Sequence, residues 1–260
     1  MRLYEPLDDG KDAMSLFSRP GSRRPPTDWT SEVSSAYALA GFLFVAFVGL
    51  TLLVMGPLVG LDASLNVRNP PDGLVPMLHV LDRMGGRLVA LPVLGLVLLW
   101  IHRRTGRLRP LVVAVVAVLG MILVVGCLKL GLGRGKALTF DPNFFTGGIS
   151  YPSGHTSNVM LVYGLVPYLL STYAQVPKRV IRVLIGVLVL LSVWMVAVSV
   201  TLSWHWFGDL WAGLLIGGMS LALTSAIDHS IPRDVFDAGI RPGLKRIPAL
   251  VLRRRDVTSP

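Results

Sequence analysis

The chain has 260 residues, is 52% hydrophobic and carries only 15% charged residues, against about a quarter in an ordinary soluble domain. That balance excludes a water-soluble globular protein. The formal charge of +10 would suit nucleic acid if it were spread over one surface, but the basic residues fall in short clusters between long apolar runs, and nucleic acid is excluded as a partner.

Residues 1–33 are polar and rich in Pro, Gly and Arg, as in Arg19-Pro20-Gly21-Ser22-Arg23-Arg24, and read as a disordered cytoplasmic leader. The first apolar run, residues 33–61, is uncharged and too long for the core of a cleaved signal peptide. Further apolar runs cover residues 88–101, 111–128, 156–177, 183–204 and 210–227, most of them near the roughly 18–20 residues that cross a bilayer as helix. The second run is short, and spans only if residues 84–87 join it or Arg87 snorkels to the interface. Residues 34–228 are therefore expected to form an all-α integral membrane bundle of six transmembrane helices. Residues 74–81 suggest an interfacial helix in the loop 57–85. Cys127 is the one cysteine, so no intramolecular disulfide can form, and it is expected as a small buried hydrophobe. Residues 229–260 read as a basic cytoplasmic tail that meets anionic phospholipid headgroups.

The basic residues fix the expected orientation. Arg19, Arg23 and Arg24 precede the first span. Arg103, Arg104, Arg107 and Arg109 follow the second, Lys178, Arg179 and Arg182 follow the fourth, and Arg253, Arg254 and Arg255 lie in the tail. These are alternate loops of a six-helix topology. The positive-inside bias makes this a multi-pass plasma-membrane protein with both termini cytoplasmic. The loops 57–85 and 131–155 and the turn at 203–209 then lie outside.

Three clusters with chemical potential fall on that outer side. His205 and Asp209 are four residues apart, the spacing that shares a helix face. A carboxylate on one ring nitrogen fixes the tautomer and leaves the other nitrogen as a nucleophile. The bland alternative is an interfacial His with an Asp capping the last helix. Pro152-Ser153-Gly154-His155 precedes a span. Ser153 is placed to N-cap it, Gly154 to let the backbone approach an anion, and His155 to protonate a departing oxygen. Lys129, Arg134 and Lys136 bring three cations into eight residues on the side where the positive-inside bias disfavours them. Neutralising a phosphate gives them a reason to be there. His79, His102 and His229 belong to no cluster.

Together these clusters resemble the type 2 phosphatidic acid phosphatase superfamily, whose motifs read Lys-x6-Arg-Pro, Pro-Ser-Gly-His and Ser-Arg-x5-His-x3-Asp. The second motif is complete in residues 152–155. Lys129 matches the first, and His205 and Asp209 match the third. The resemblance implies a membrane phosphatase that needs no metal or other cofactor and acts on a lipid phosphate or pyrophosphate. His205 would form a phosphohistidine, Asp209 would orient it, and His155 would be the acid and then the base. Lys129, Arg134, Lys136, Ser153 and Gly154 would hold the phosphate. Two arginines depart from the pattern: Lys136-Ala137 replaces Arg-Pro, and Val198-Ser199 replaces Ser-Arg. Restoring an arginine at 199 is accordingly expected to raise activity. The alternative reading is a weak or inactive member that binds phospholipid or a partner membrane protein.

Overall fold

A computed structural model describes residues 27–66 and 71–232. The basic residues of the leader and of the tail lie outside them. The described part is all helical. α1 (Thr27–Met55) begins inside the expected leader. Gly56 and Pro57 end it, and two short helices follow, α2 (Val59–Ser64) and α3 (Val75–Asp82). The second is a short helix where the sequence suggested one in the loop 57–85. A 3₁₀ turn, Arg83–Gly85, leads into α4 (Arg87–Thr105). Arg87 thus joins the second apolar run and brings it to 19 residues, about 28 Å of helix. α5 (Arg109–Leu132) follows. α4 and α5 close on Gly106 and Gly133, both left-handed, whose N–H groups donate to the carbonyls of His102 and Lys129. An L side chain resists that conformation, so glycine is the natural stop.

The next helical run is built in three parts: α6 (Gly154–Asn158), a π segment (Val159–Tyr163) and α7 (Gly164–Ala174). Pro167 has no N–H for the carbonyl of Tyr163, and the wider π turn lies where that bond would have formed. α8 (Lys178–Thr201) and α9 (Phe207–Ser230) are the last helices among the described residues. Among the described residues, five single helices, α1, α4, α5, α8 and α9, are long and apolar enough to cross a membrane. The remaining expected span, at 156–177, corresponds to the three-part run rather than to one regular helix.

That run is the centre of the bundle. Val159, Leu161, Leu165 and Leu169 are fully buried, and α4, α5, α8 and α9 all pack against it. The outer helices turn leucine and valine outward, as Leu88, Leu123 and Leu190 do. In lipid such exposure costs nothing, because tails are as apolar as leucine. Cys127 is also exposed on α5, so it faces outward and is not the buried hydrophobe expected from sequence.

Helix directions put Arg103, Arg104, Arg109 and Lys178 at one end of the bundle. Lys129, His155 and Asp209 lie at the other. The basic end is stapled by Asp228, which accepts from Arg109 Nε at 2.8 Å, from Tyr173 at 2.7 Å and from Tyr168 at 2.6 Å. Truncating one partner of such a buried pair leaves an uncompensated charge. Asp228→Ala should therefore lose about 3–5 kcal/mol of stability, read as a drop in thermal midpoint in detergent. At permissive temperature the far end of the bundle should keep its ligand properties.

Candidate active site

The site forms where α6 meets α9. Their contact depends on small residues. A Cβ at Gly213 would collide with Thr156 Oγ1 and the Ser153 carbonyl, and one at Gly217 with the Ser157 carbonyl. The two backbones can therefore approach closely, and cross-bonds fix their register. Ser153 N–H donates to the Asp209 carbonyl at 2.9 Å, and Thr156 Oγ1 to the Leu210 carbonyl at 2.9 Å. This places the two histidine motifs side by side. Gly213→Val should separate them, and a shift of about 1 Å at a reacting centre costs about 10²-fold in rate. An assay of phosphate release beside a melting curve would distinguish this from unfolding.

His205 is not on a helix with Asp209. It lies two residues before α9, and Asp209, in the first turn, reaches back. Asp209 Oδ2 is 3.4 Å from His205 Nδ1 and accepts the Trp206 N–H at 3.1 Å. The His205 carbonyl accepts from Asn66 Nδ2 at 3.0 Å. With Nδ1 turned to Asp209, Nε2 is the nitrogen available for attack.

Asp209 is itself held by a buried ionic chain. Arg134, fully buried, donates from one amino group to Asp209 Oδ1 at 2.6 Å and from the other to Asp62 Oδ2 at 2.6 Å. Its Nε donates to the Pro142 carbonyl at 3.0 Å. Asp62 also accepts the Gly208 N–H at 2.6 Å. Burial pushes the Asp62 carboxyl above its ordinary range, while Arg134 and the Gly208 N–H pull it back. The guanidinium lies 4.8 Å from the Phe144 ring centroid and 5.6 Å from that of Trp206. Arg134 was expected from sequence to hold phosphate. Its guanidinium faces two carboxylates and a carbonyl instead, because the glycine-rich loop folds it inward: Gly135 and Gly148 pack where a Cβ would strike the neighbouring strand of loop.

His155 has a carboxylate of its own, with Nε2 3.3 Å from Asp82 Oδ2. Asp82 is 2% exposed, and its other oxygen accepts a long hydrogen bond from Ser199 Oγ at 3.5 Å. Trp204 stands edge-on to His155 with centroids 6.4 Å apart, and its other neighbour is His79, at 5.3 Å. His155 lies within electrostatic range of His205, Lys129 and Arg87.

The remaining sequence-predicted residues divide. Ser153 occupies the N-cap position but makes no side-chain cap bond. Its Oγ is buried without a partner among the described residues. Its N–H is taken by Asp209, whereas Gly154 begins the helix in open space. Lys129 Nζ donates to the Ile149 carbonyl at 2.5 Å and remains within range of Asp209. Lys136 is exposed in its loop. Nearby, Tyr151 is buried against Thr51, 2.6 Å from its Oγ1, and burial pushes its phenol well above the ordinary range. Asp62, Asn66 and Asp82 escaped the sequence reading, and Arg87 was read there only as the end of the second span. The signal that could have found the two acids is that carboxylates at the ends of apolar spans are costly and seldom idle.

The fold and this end of the bundle define a helical membrane protein with paired histidine–carboxylate groups. Residues 110–231, which carry His155, His205 and Asp209, match the family model of the PAP2 superfamily. The fold is also similar to the crystal structure of a transmembrane PAP2 type phosphatidylglycerolphosphate phosphatase from Bacillus subtilis. The TM-score is 0.63 at 20% identity, over 75% of this chain and 98% of that one. At that identity the likeness is one of fold. No curated protein matches the chain in sequence.

Proposed function

We propose that the protein is a lipid phosphatase that hydrolyses a lipid phosphate or pyrophosphate at the outer membrane face through a phosphohistidine. The observation that carries this reading is the meeting of two histidines, each 3.3–3.4 Å from its own buried carboxylate, at the end of the bundle opposite the basic loops. His205 Nε2 attacks phosphorus as the bond to the lipid oxygen breaks, and His155 gives that oxygen a proton. Water then attacks the phosphohistidine, His155 takes its proton, phosphate leaves and His205 is restored. Lys129, Lys136, the Ser153 hydroxyl and the first N–H groups of α6 neutralise the phosphate oxygens. Arg134 acts one step back, as a positioning residue for Asp209. The basic tail is proposed to rest on anionic headgroups.

The deciding experiment is phosphate release by purified protein in detergent, with chelator present, over phosphatidic acid, phosphatidylglycerol phosphate and polyprenyl pyrophosphate. Turnover of at least one lipid without metal is expected. Lipid binding with no release on the whole panel would favour the inactive member, the reading that Ser199 supports.

Sidedness has its own test. In a Cys127→Ser background, a cysteine introduced in the loop 137–150 should react with an impermeant thiol reagent added to intact cells, and one at 103–107 should not. Reversed labelling would put the chemistry on the cytoplasmic face.

A further inference from the structure

The geometry points to Asp82 as a positioning residue that holds His155 for proton transfer, with Ser199 steadying the carboxylate, so that the site runs on two histidine–carboxylate pairs. Asp82 lies at the end of α3, outside the segment that matches the family model, and no motif contains it. The inference rests on the phosphatase reading of the same site.

Three observations carry it. Asp82 is buried at 2% exposure and directs Oδ2 to His155 Nε2 at 3.3 Å. A carboxylate so desolvated requires a partner, and the partners shown are His155 and the Ser199 hydroxyl. The turn that carries Asp82 is locked to the His155 helix: Asn158 Nδ2 donates to the Gly85 carbonyl at 3.3 Å, and Tyr163 Oη to the Met84 carbonyl at 2.8 Å. A Cβ on Gly85 would crowd Met195 and come within 3.2 Å of the His155 Cβ. Position 199 has no room for a larger group either, since Ser199 is 1% exposed with its hydroxyl 3.7 Å from Met195 Sδ.

The chemistry follows from the charges around the ring. Arg87 from α4, Lys129 from α5 and His205 from the turn before α9 all act on His155 as positive charges or potential ones. Burial disfavours imidazolium, the form that must donate a proton, and each of these charges adds to that. Asp82 from α3 is the opposing anion. It favours imidazolium, and by engaging Nε2 it leaves Nδ1 to pass the proton to the departing lipid oxygen as the P–O bond breaks and the P–N bond to His205 forms. In this structure position 199 serves that carboxylate. An arginine there would pair with Asp82 and draw it from His155, which reverses the gain expected from the motif alone.

The test separates proton donation from simple support of the fold. Asp82→Asn keeps the shape and removes the charge. With phosphatidic acid, whose alkoxide needs a proton, its turnover should fall about 10²-fold, the range for losing general acid–base assistance. With p-nitrophenyl phosphate, whose leaving group needs none, the first-turnover burst should change less than about threefold on the same scale. Asp82→Glu should recover part of the loss on phosphatidic acid. Equal losses on both substrates, or no loss on either, would overturn the inference.

A second measurement does not depend on turnover. In histidine-labelled protein in detergent, the imidazole signal missing from His155→Ala should titrate about 1–3 pH units lower in Asp82→Asn. An unchanged titration would overturn the role of Asp82. Absence of phosphate release by the wild type on every lipid would overturn the phosphatase reading alone, and the titration would still decide Asp82.

Discussion

His205→Ala will abolish phosphate release from lipid substrates and will prevent any phosphoenzyme from being trapped on alkaline quench, the condition under which a phosphohistidine survives. Removing an obligatory nucleophile costs about 10⁶-fold where such deletions have been made, so turnover should fall below detection in an assay of that range. The fold should survive. The His205 side chain is 13% exposed at the end of the bundle, and the carbonyl that Asn66 contacts remains in alanine. His155→Ala should differ in kind: weak turnover of activated aryl phosphates should persist, because those leaving groups need no acid. Near wild-type turnover by His205→Ala would sink the phosphohistidine mechanism.

Arg134→Met is expected to have the next largest effect, on stability and activity together. One guanidinium serves Asp62, Asp209 and the Pro142 carbonyl at once. Without it, two buried carboxylates face each other across an apolar gap, and one must take up a proton or turn away. The expected loss is about 3–5 kcal/mol of stability. Even at low temperature the rate should fall by at least about 10²-fold, because Asp209 no longer holds His205 in register. Arg134→Lys should rescue little, since one ammonium cannot present the same planar fork to three acceptors. The checks are a denaturation midpoint and a rate measured well below it. A stable, fully active Arg134→Met protein would show that the chain Asp62–Arg134–Asp209 has no part in ordering His205.

The two predictions differ in how they could have been reached. His205, His155 and Asp209 stood out in the sequence because reactive side chains at the ends of apolar spans contrast with everything around them. The expected separation of basic loops from histidine clusters along the chain reappears as opposite ends of the described bundle. Apolar run length also placed the helices, because each backbone group in lipid must bond within its own helix and little else can form there. The regular count was less secure. The run at 154–174 is broken by a π segment, a product of Pro167 and central packing that hydropathy does not register.

Partner choice was decided only in three dimensions. Lys129, Arg134 and Lys136 look alike in sequence, as three cations in one glycine-rich loop. Folding buries one against two carboxylates, rests one on loop carbonyls and leaves one exposed. Asp62 and Asp82 lie 72 and 73 residues from Arg134 and His155, and no local spacing connects residues so far apart. Charge and periodicity act over a few residues and are legible in one dimension. Which buried cation meets which buried anion depends on how helices pack, because a desolvated charge takes whatever opposite charge the fold brings within reach.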